Sequence, residues 1–442
     1  MRSESVQYRI VGRDAASIGR SIERGVVRGE LEAGEAIPSV RALARELGVS
    51  PSTVASAYRD LRHRGILVSH DRSRTVVAHR SPLAVRLAPE LPDDCVDLAS
   101  GNPDPLLLPD LGPALAAVGP VHRLYGDEPS VEALLELGRT DLVDDGIPAD
   151  HLAVVGGALD GIERILEVHC RVGDRIAVED PCYVGSIDLI RTLGLHPVPV
   201  PIDDAGPQPD ALEEALADGV QALLLVPRAQ NPTGAALTPE RAAQLRDLLA
   251  DHPEVVVIED DHASWVSGTH HQRVSSDRQH WAVVRSVAKS LGPDLRVALL
   301  SGDDATVTRV LGRQRLGTGW VSHLLQRLAA TVWRDALRDG TLREAAATYA
   351  SRRDAVIDAL AVHGIEAHGR SGLNVWIPVA EEVPVVQGLA ARGWGVQAGE
   401  PFRLQAPPAI RVTSAALAPS QAAAFARDLA EVLDHRLGTR RG

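Results

Sequence analysis

Two kinds of residue are scarce in this 442-residue chain, and long apolar runs are missing. Cysteine occurs three times, at Cys95, Cys170 and Cys182, with no CxxC pair. That is neither a disulfide framework nor a zinc knuckle, and it fits a reducing cytoplasm. No stretch of about 18 apolar residues exists, so no membrane-spanning helix is expected. The start MRSESVQYRI is polar and has no apolar signal core, so secretion is not expected. Lysine occurs once, at Lys289, among 46 basic residues. A chain that uses arginine wherever a surface cation suffices has kept one primary amine. A guanidinium cannot form a Schiff base and an amine can, so Lys289 is a candidate reactive group. Also absent are a GxGxxG after a strand, a GxxxxGK[ST] loop and HExxH, which disfavours dinucleotide enzymes, P-loop ATPases and zincins.

What is present divides the chain by charge. Residues 1–80 hold 14 Arg against 9 acids; the remainder holds 32 basic residues against 50 acids. A basic head on an acidic body suggests a polyanion-binding segment joined to a different module. In the head, Ile18, Ile22 and Val26 recur at helical spacing within 14–29. A short helix follows from Ser39, with Val40, Leu43, Ala44 and Leu47 on one face. Gly48-Val49 makes a turn, Ser50 is a good N-cap, and Pro51 suits the first helical position. Val54, Tyr58 and Leu61 stripe a third helix that Gly65 stops. Ile66–Val68 and Thr75–Val77 read as two strands. Helix, helix, glycine turn, helix, ribbon is a winged helix-turn-helix, whose second paired helix enters the major groove by its N-terminal end.

Residues 80–96, with Pro82, Pro89 and Pro92, read as a stiffened linker between a head at 1–79 and a body at 97–442. In the body, apolar runs at 152–155, 175–178, 222–226, 255–258, 283–286 and 297–300 alternate with helical stretches, including 161–168 and 239–249. That alternation predicts a mostly parallel sheet covered by helices. Polar groups follow these strands, on the edge where open α/β sheets bind ligands. They are Gly156-Gly157-Ala158, the Gln230–Gly234 turn, Glu259-Asp260-Asp261, and the Ser286–Arg296 stretch with Lys289. An amine, an anion cradle, a carboxylate and hydrogen-bonding groups on one edge are what pyridoxal 5'-phosphate requires.

Two resemblances rest on these residues. The head is similar to the GntR-type winged helix in Gly29, Leu31, Gly34, Pro38, Ser39, Arg41, Leu43, Ala44, Leu47–Ser50, Thr53-Val54, Ala57-Tyr58 and Leu61. This implies DNA contact by Ser39, Arg41, Ser52 and Thr53, with the wing adding Arg72 or Arg74. Pro51 stands where that family has Arg, and Ser73-Arg74-Thr75 replaces its usual Gly-x-Gly. The body resembles the fold-type I aminotransferases through LYGDEPS (124–130), GGALDG (156–161), EDPCYVG (179–185), QNPTG (230–234), EDD (259–261) and SVAKSLGPDLR (286–296). By position, the resemblance implies that Lys289 forms the Schiff base and Asp260 holds the pyridine nitrogen. It implies that Asn231 bonds the phenolic oxygen and Tyr183 lies beside the ring. Gly157, Ala158, Ser286 and Arg296 hold the phosphate, and Arg411 clamps a carboxylate of the effector. His262 stands where relatives have a Tyr on the phenolic oxygen and is expected to offer it one N–H instead. Leu159 and Ala288 are further departures in these motifs, as is Asn374 in SGLNVW (371–376), where relatives show His.

The two modules in this order resemble the MocR-type transcriptional regulators. The implied fold is multidomain: an α+β winged helix-turn-helix, then an α/β fold-type I aminotransferase-like domain with a mostly parallel sheet and a smaller C-terminal α+β subdomain at about 330–442. The implied function is a cytoplasmic, pyridoxal-phosphate-dependent regulator of operator DNA. It senses an amino compound bearing a carboxylate through aldimine exchange or binding beside the cofactor. It is expected to be a head-to-tail homodimer with no membrane partner and no metal. The alternative is a pyridoxal-phosphate-dependent aminotransferase with an appended DNA-binding head; poor turnover is expected. The first test follows from the lone lysine. Borohydride in the presence of pyridoxal phosphate should fix the cofactor to wild type and not to Lys289→Ala, read by intact mass. The only competing amine is the N-terminus, and labelling that survives the substitution would remove the Schiff-base assignment.

Overall fold

The protein is described as a computed structural model over residues 8–439, apart from 29, 33, 64, 71–73, 78–94, 120–121 and 277. The expected linker at 80–96 therefore lies, up to Asp94, outside the described residues, as does Arg72.

In the head, α1 (Ala15–Val27) opens on a capping box in which the Asp14 carboxylate accepts from the Ser17 amide and the Ser17 hydroxyl accepts from the Asp14 amide. Helix α2 (Val40–Leu47) is capped by Ser39 and ends on Gly48 in the left-handed conformation, φ 67°. Helix α3 (Pro51–His63) starts where expected, with the Ser50 hydroxyl accepting from the Thr53 amide at 3.1 Å. Ile18, Ile22, Leu43, Val54, Tyr58 and Leu61 are fully buried and form one core. The Tyr58 hydroxyl donates to the Pro38 carbonyl at 2.7 Å, tying α3 to the turn before α2. Strands β1 (Leu67–His70) and β2 (Arg74–Val77) pair antiparallel. The chain between α1 and α2 adds a rung: Ala36 bridges Val76, and the Gly34 and Ile37 amides donate to the Val77 and Thr75 carbonyls.

The body begins with β3 (Val96–Leu98), then α4 (Gly112–Val118) and α5 (Glu132–Asp144). The alternating region runs β4 (Leu152–Val155), α6 (Ala158–His169), β5 (Arg175–Asp180), α7 (Val184–Thr192), β6 (His196–Asp203), β7 (Gly206–Pro207), α8 (Pro209–Ala217), β8 (Ala222–Leu225), α9 (Pro239–Ala250), β9 (Val256–Asp261), β10 (Trp281–Ser286) and β11 (Ala298–Gly302). The sheet order is β4-β11-β10-β9-β8-β5-β6-β7. Strands β10, β9, β8 and β5 pair in parallel, as the alternation predicts. Strand β11 runs antiparallel to both β10 and β4. Its first residue, Ala298, therefore sits opposite Ser286 and Val155, and the chain entering it comes from the ligand-binding edge. Strands β6 and β7 lie beyond the six expected strands. Proline at 197, 199 and 201 suits β6 only near a sheet edge, where a missing donor is tolerated.

The remaining helices are α10 (Asp304–Arg315), α11 (His323–Asp339), α12 (Thr341–Val362), α13 (Glu382–Ala390) and α14 (Pro419–Thr439). Strands β12 (Asn374–Pro378), β13 (Trp394–Ala398) and β14 (Ala409–Thr413) form a second sheet in the order β12-β14-β13-β3. This corrects the expected boundary near 330, which falls inside α11. Val332, Trp333 and Ala336 of α11 are buried with Val154 and Leu299 of the large sheet. Only the later part of α12, with Val356 and Leu360, packs in the small-sheet core. The fourth small-sheet strand comes from the start of the body: Val96, Asp97 and Leu98 pair in parallel with Trp394, Gly395 and Val396.

Candidate functional site

Strand register decides which polar groups converge. Val284 sits opposite Asp260, and Arg285 opposite Asp261. Side chains alternate along a strand, so Asp260 points to one face while Glu259 and Asp261 point to the other. The Asp260 face is covered by α6. A Cβ on Gly161 would lie 3.0 Å from Val284 and 3.1 Å from Val155, so glycine lets this helix press against the strands. The start of α6 and Asp260 therefore share one face at one edge.

At that edge Gly157 precedes α6 with φ 116°, and no side chain caps the helix, which leaves its first amides for a ligand. A Cβ on Gly157 would fall 2.7 Å from the Arg296 guanidinium. Arg296, itself left-handed at φ 49°, donates to the Gly156 carbonyl at 3.0 Å. The Asp160 carboxylate in the first turn is met by Arg164 at 2.7 Å and by the Gly156 amide. Ser286 is buried at the end of β10, its hydroxyl accepting from the Ala288 amide. Gly157, Ala158, Ser286 and Arg296 thus lie at one sheet edge, by the start of α6.

The Lys289 amine is half-buried at the same edge. The Lys289 Nζ donates to the Gly101 carbonyl at 2.5 Å. Burial, then the nearby Arg411 charge, pushes its pKa down to about 8. Asp260 is buried, its Oδ1 finds no partner among the described residues, and burial with the neighbouring Asp261 charge raises it to about 7. Arg411 on β14 is buried, which lowers it to about 10. Its Nη1 donates to the Asn231 Oδ1 at 3.2 Å and its Nη2 to the Ala99 carbonyl, and its guanidinium lies 4.8 Å over the Phe402 ring. Tyr183 packs with Val184, Trp376, Phe402 and Ala409 on that side. With its carbonyl oxygen on Arg411, the Asn231 amide keeps its two N–H donors for another group.

His262 differs from expectation. Its Nε2 lies 2.9 Å from the Ala229 carbonyl, which can only accept, so that nitrogen carries the hydrogen. Burial, then the Lys289 charge, lowers the ring to about 4, so it is neutral at neutral pH. Nδ1 then has only a lone pair, and the ring has no second N–H to give a phenolic oxygen. Asn374 points its Oδ1 to the Thr413 hydroxyl at 3.0 Å. In the head, the hydroxyls of Ser52 and Thr53 lie 2.7 and 2.8 Å from the Ser50 hydroxyl, Ser39 caps α2, and Arg41 and Arg74 are exposed.

Sequence reasoning missed two groups. One is the segment Ala99–Gly101, whose carbonyls reach Arg411 and Lys289; its only sequence signal is the Asp97-to-Gly101 turn chemistry. The other is a buried ionic cluster. Asp261 accepts from Arg228 and Arg285 at 2.7–2.8 Å. Arg228 reaches Asp145 at 3.0 Å, and Arg285 reaches Asp145 and Asp141. His271 bonds Glu259 at 2.6 Å. Despite the burial penalty, the two guanidinium charges hold Asp261 well below the usual carboxylate range. Asp261→Ala would leave Arg228 and Arg285 with only part of their compensation. Losing one partner of such a buried pair should cost about 3–5 kcal/mol, read from urea unfolding of the full chain. A loss below about 1 kcal/mol would show that Asp141 and Asp145 suffice.

Residues 93–429 match the family described as aminotransferase class I and II, and residues 14–77 match the bacterial regulatory proteins of the gntR family. The vitamin B6 salvage pathway transcriptional repressor PtsJ of Salmonella typhimurium is 40% identical over 429 residues, 96% of this chain and 100% of that protein. The HTH-type pyridoxine biosynthesis transcriptional regulator PdxR of Corynebacterium glutamicum is 30% identical over 259 residues, 54% of each chain. Among solved structures, the α-aminoadipate aminotransferase LysN of Thermus thermophilus superposes with a TM-score of 0.70 at 21% identity, covering 78% of this chain and 94% of that one. That likeness shows the fold.

Proposed function

Because this chain belongs to the MocR-type transcriptional regulators, with a GntR-type head and an aminotransferase class I and II body, we propose that pyridoxal phosphate at Lys289 sets its affinity for operator DNA. The observation that carries this reading is the buried Asp260 Oδ1, without a partner among the described residues, at the same sheet edge as the lone, half-buried lysine and a helix start that no described side chain caps. An orphaned buried carboxylate costs free energy until a donor meets it, and a ring N–H is such a donor.

When bound, the cofactor supplies an aldehyde carbon for an amine and an electron-withdrawing ring. The amides of Ala158 and Leu159, the Ser286 hydroxyl and Arg296 would hold its phosphate. Asp260 would hold the ring nitrogen protonated, and the Asn231 amide would donate to the phenolic oxygen. Tyr183 would lie beside the ring. His262, fixed on Ala229, shapes the pocket without donating to that oxygen. Lys289 supplies the amine, which burial and Arg411 keep easier to deprotonate than a surface lysine.

The signal is a form of vitamin B6 or an amino compound. The first is supported by the printed role of the 40% identical relative, whose whole length is matched. The second is supported by Arg411, a guanidinium beside the amine that suits a carboxylate. Either ligand needs only to prefer one conformation of the body. The exposed Leu124, Tyr125 and Leu316 support the expected homodimer, in which apolar surface would be covered by a second copy.

Two outcomes are expected. The rate at which the body takes up pyridoxal phosphate, followed by visible absorbance, should rise with pH and level off above about 8, because only the neutral Lys289 amine is nucleophilic. A rate that is flat from pH 6 to 9, about two units below to one above, would exclude Lys289 as the titrating nucleophile. DNA binding, measured on the region upstream of the gene, should change when the cofactor is added. Arg41→Ala should weaken that binding and leave the spectrum unchanged. If Arg41 meets a phosphate, the log–log salt slope should fall in magnitude by about 0.9. Steady keto-acid release at about 1–1000 per second would instead favour the aminotransferase.

A further inference from the structure

The two groups that an amino compound would need are already engaged by the chain itself. Lys289 gives a hydrogen bond to the Gly101 carbonyl at 2.5 Å, and Arg411 gives one to the Ala99 carbonyl. Two carbonyls two residues apart thus stand where an incoming ligand's polar ends would stand. The partners are 188 and 312 residues away in sequence, so this is tertiary placement and not local turn bonding. The segment is shaped for it. The Asp97 carboxylate accepts from the amides of Ala99 and Ser100 at 2.8 and 2.9 Å, which turns the chain directly after β3. Gly101 is left-handed at φ 70°, and a Cβ there would lie 3.3 Å from the Arg411 guanidinium. The close approach therefore needs glycine.

We propose that Ala99–Gly101 is an internal strap that occupies Lys289 and Arg411, and that pyridoxal phosphate at Lys289 releases it and passes the signal into β3. This rests on the reading above and adds the regulation of that site. Condensation of the Lys289 amine with an aldehyde forms one C=N bond and expels one water. The nitrogen then keeps at most one N–H, in the plane of the new double bond, in place of the three donors of an ammonium group. The bond to the Gly101 carbonyl is lost or redirected, and one end of the strap is freed. The strap continues without interruption into β3, and the chain before β3 leads to the winged head. A change in the strap therefore acts on the segment that covalently joins the two modules.

The test uses the full chain, with pyridoxal phosphate as the probe. Hydrogen exchange at the amides of Ala99 and Ser100 should quicken on the order of tenfold when the cofactor is added, the scale of one lost charge-assisted hydrogen bond. Asp97→Ala, which removes the turn but no cofactor contact, should bind upstream DNA without cofactor as wild type does with it. Its visible spectrum on loading should match wild type. Attachment to Lys289 with unchanged exchange in wild type, whatever the folding of the variant, overturns the strap alone. An Asp97→Ala chain that loads normally and still needs cofactor to reach the wild-type DNA response also overturns it. Absence of any absorbance change on adding the cofactor overturns the underlying reading and the strap with it.

Discussion

The edge of the large sheet depends on the pairing of Asp261 with Arg228 and Arg285. The carboxylate is fully buried, and the two guanidinium groups are nearly so. Charges out of water cost several kcal/mol each unless their partners and geometry compensate. Here two strand ends, the loop after β8 and the last turns of α5 must all hold position for that to occur. The next residue back from Asp261 is Asp260, and the turn after Arg285 delivers Ser286 and Lys289. The buried ion cluster on one face thereby fixes the place of the chemical groups on the other.

The cofactor face shows the opposite pattern, since its charges are incompletely compensated. Among the described residues, Asp260 has an oxygen without a partner, Arg411 has a buried Nε without one, and the Lys289 amine donates to the Gly101 carbonyl. Glu179, nearby in chain order to Tyr183, is pushed up to about 8 by burial, although the Gln230 amide donates to it at 3.1 Å. A ligand that supplied the missing partners would be stabilised in such a site. That is a property useful to a sensor, whose output is the difference in free energy between two conformations.

Modularity shapes the rest. The small sheet takes a strand from the very start of the body, so β3 lies beside β13, next to the strand that bears Arg411. A sheet closed by a strand from the far end of a domain cannot be read as a contiguous subdomain.

Sequence by itself determined the local features and the chemistry that depends on residue type. The caps at Asp14, Ser39 and Ser50, the glycine turn at Gly48 and the buried stripes of α1 to α3 are short-range effects, legible because each is decided within a few residues. The lone Lys289 and the order of the motifs along the chain put an amine, a glycine-led helix start and a carboxylate at one sheet edge. Tertiary structure alone decided what these groups touch. His262 turns its one N–H to Ala229, Arg411 and Lys289 are held by Ala99 and Gly101, and Arg228, Arg285 and Asp261 meet across strands. Those contacts are set by strand register and by approaches between residues tens to hundreds of positions apart, and no local pattern encodes a register or a distance.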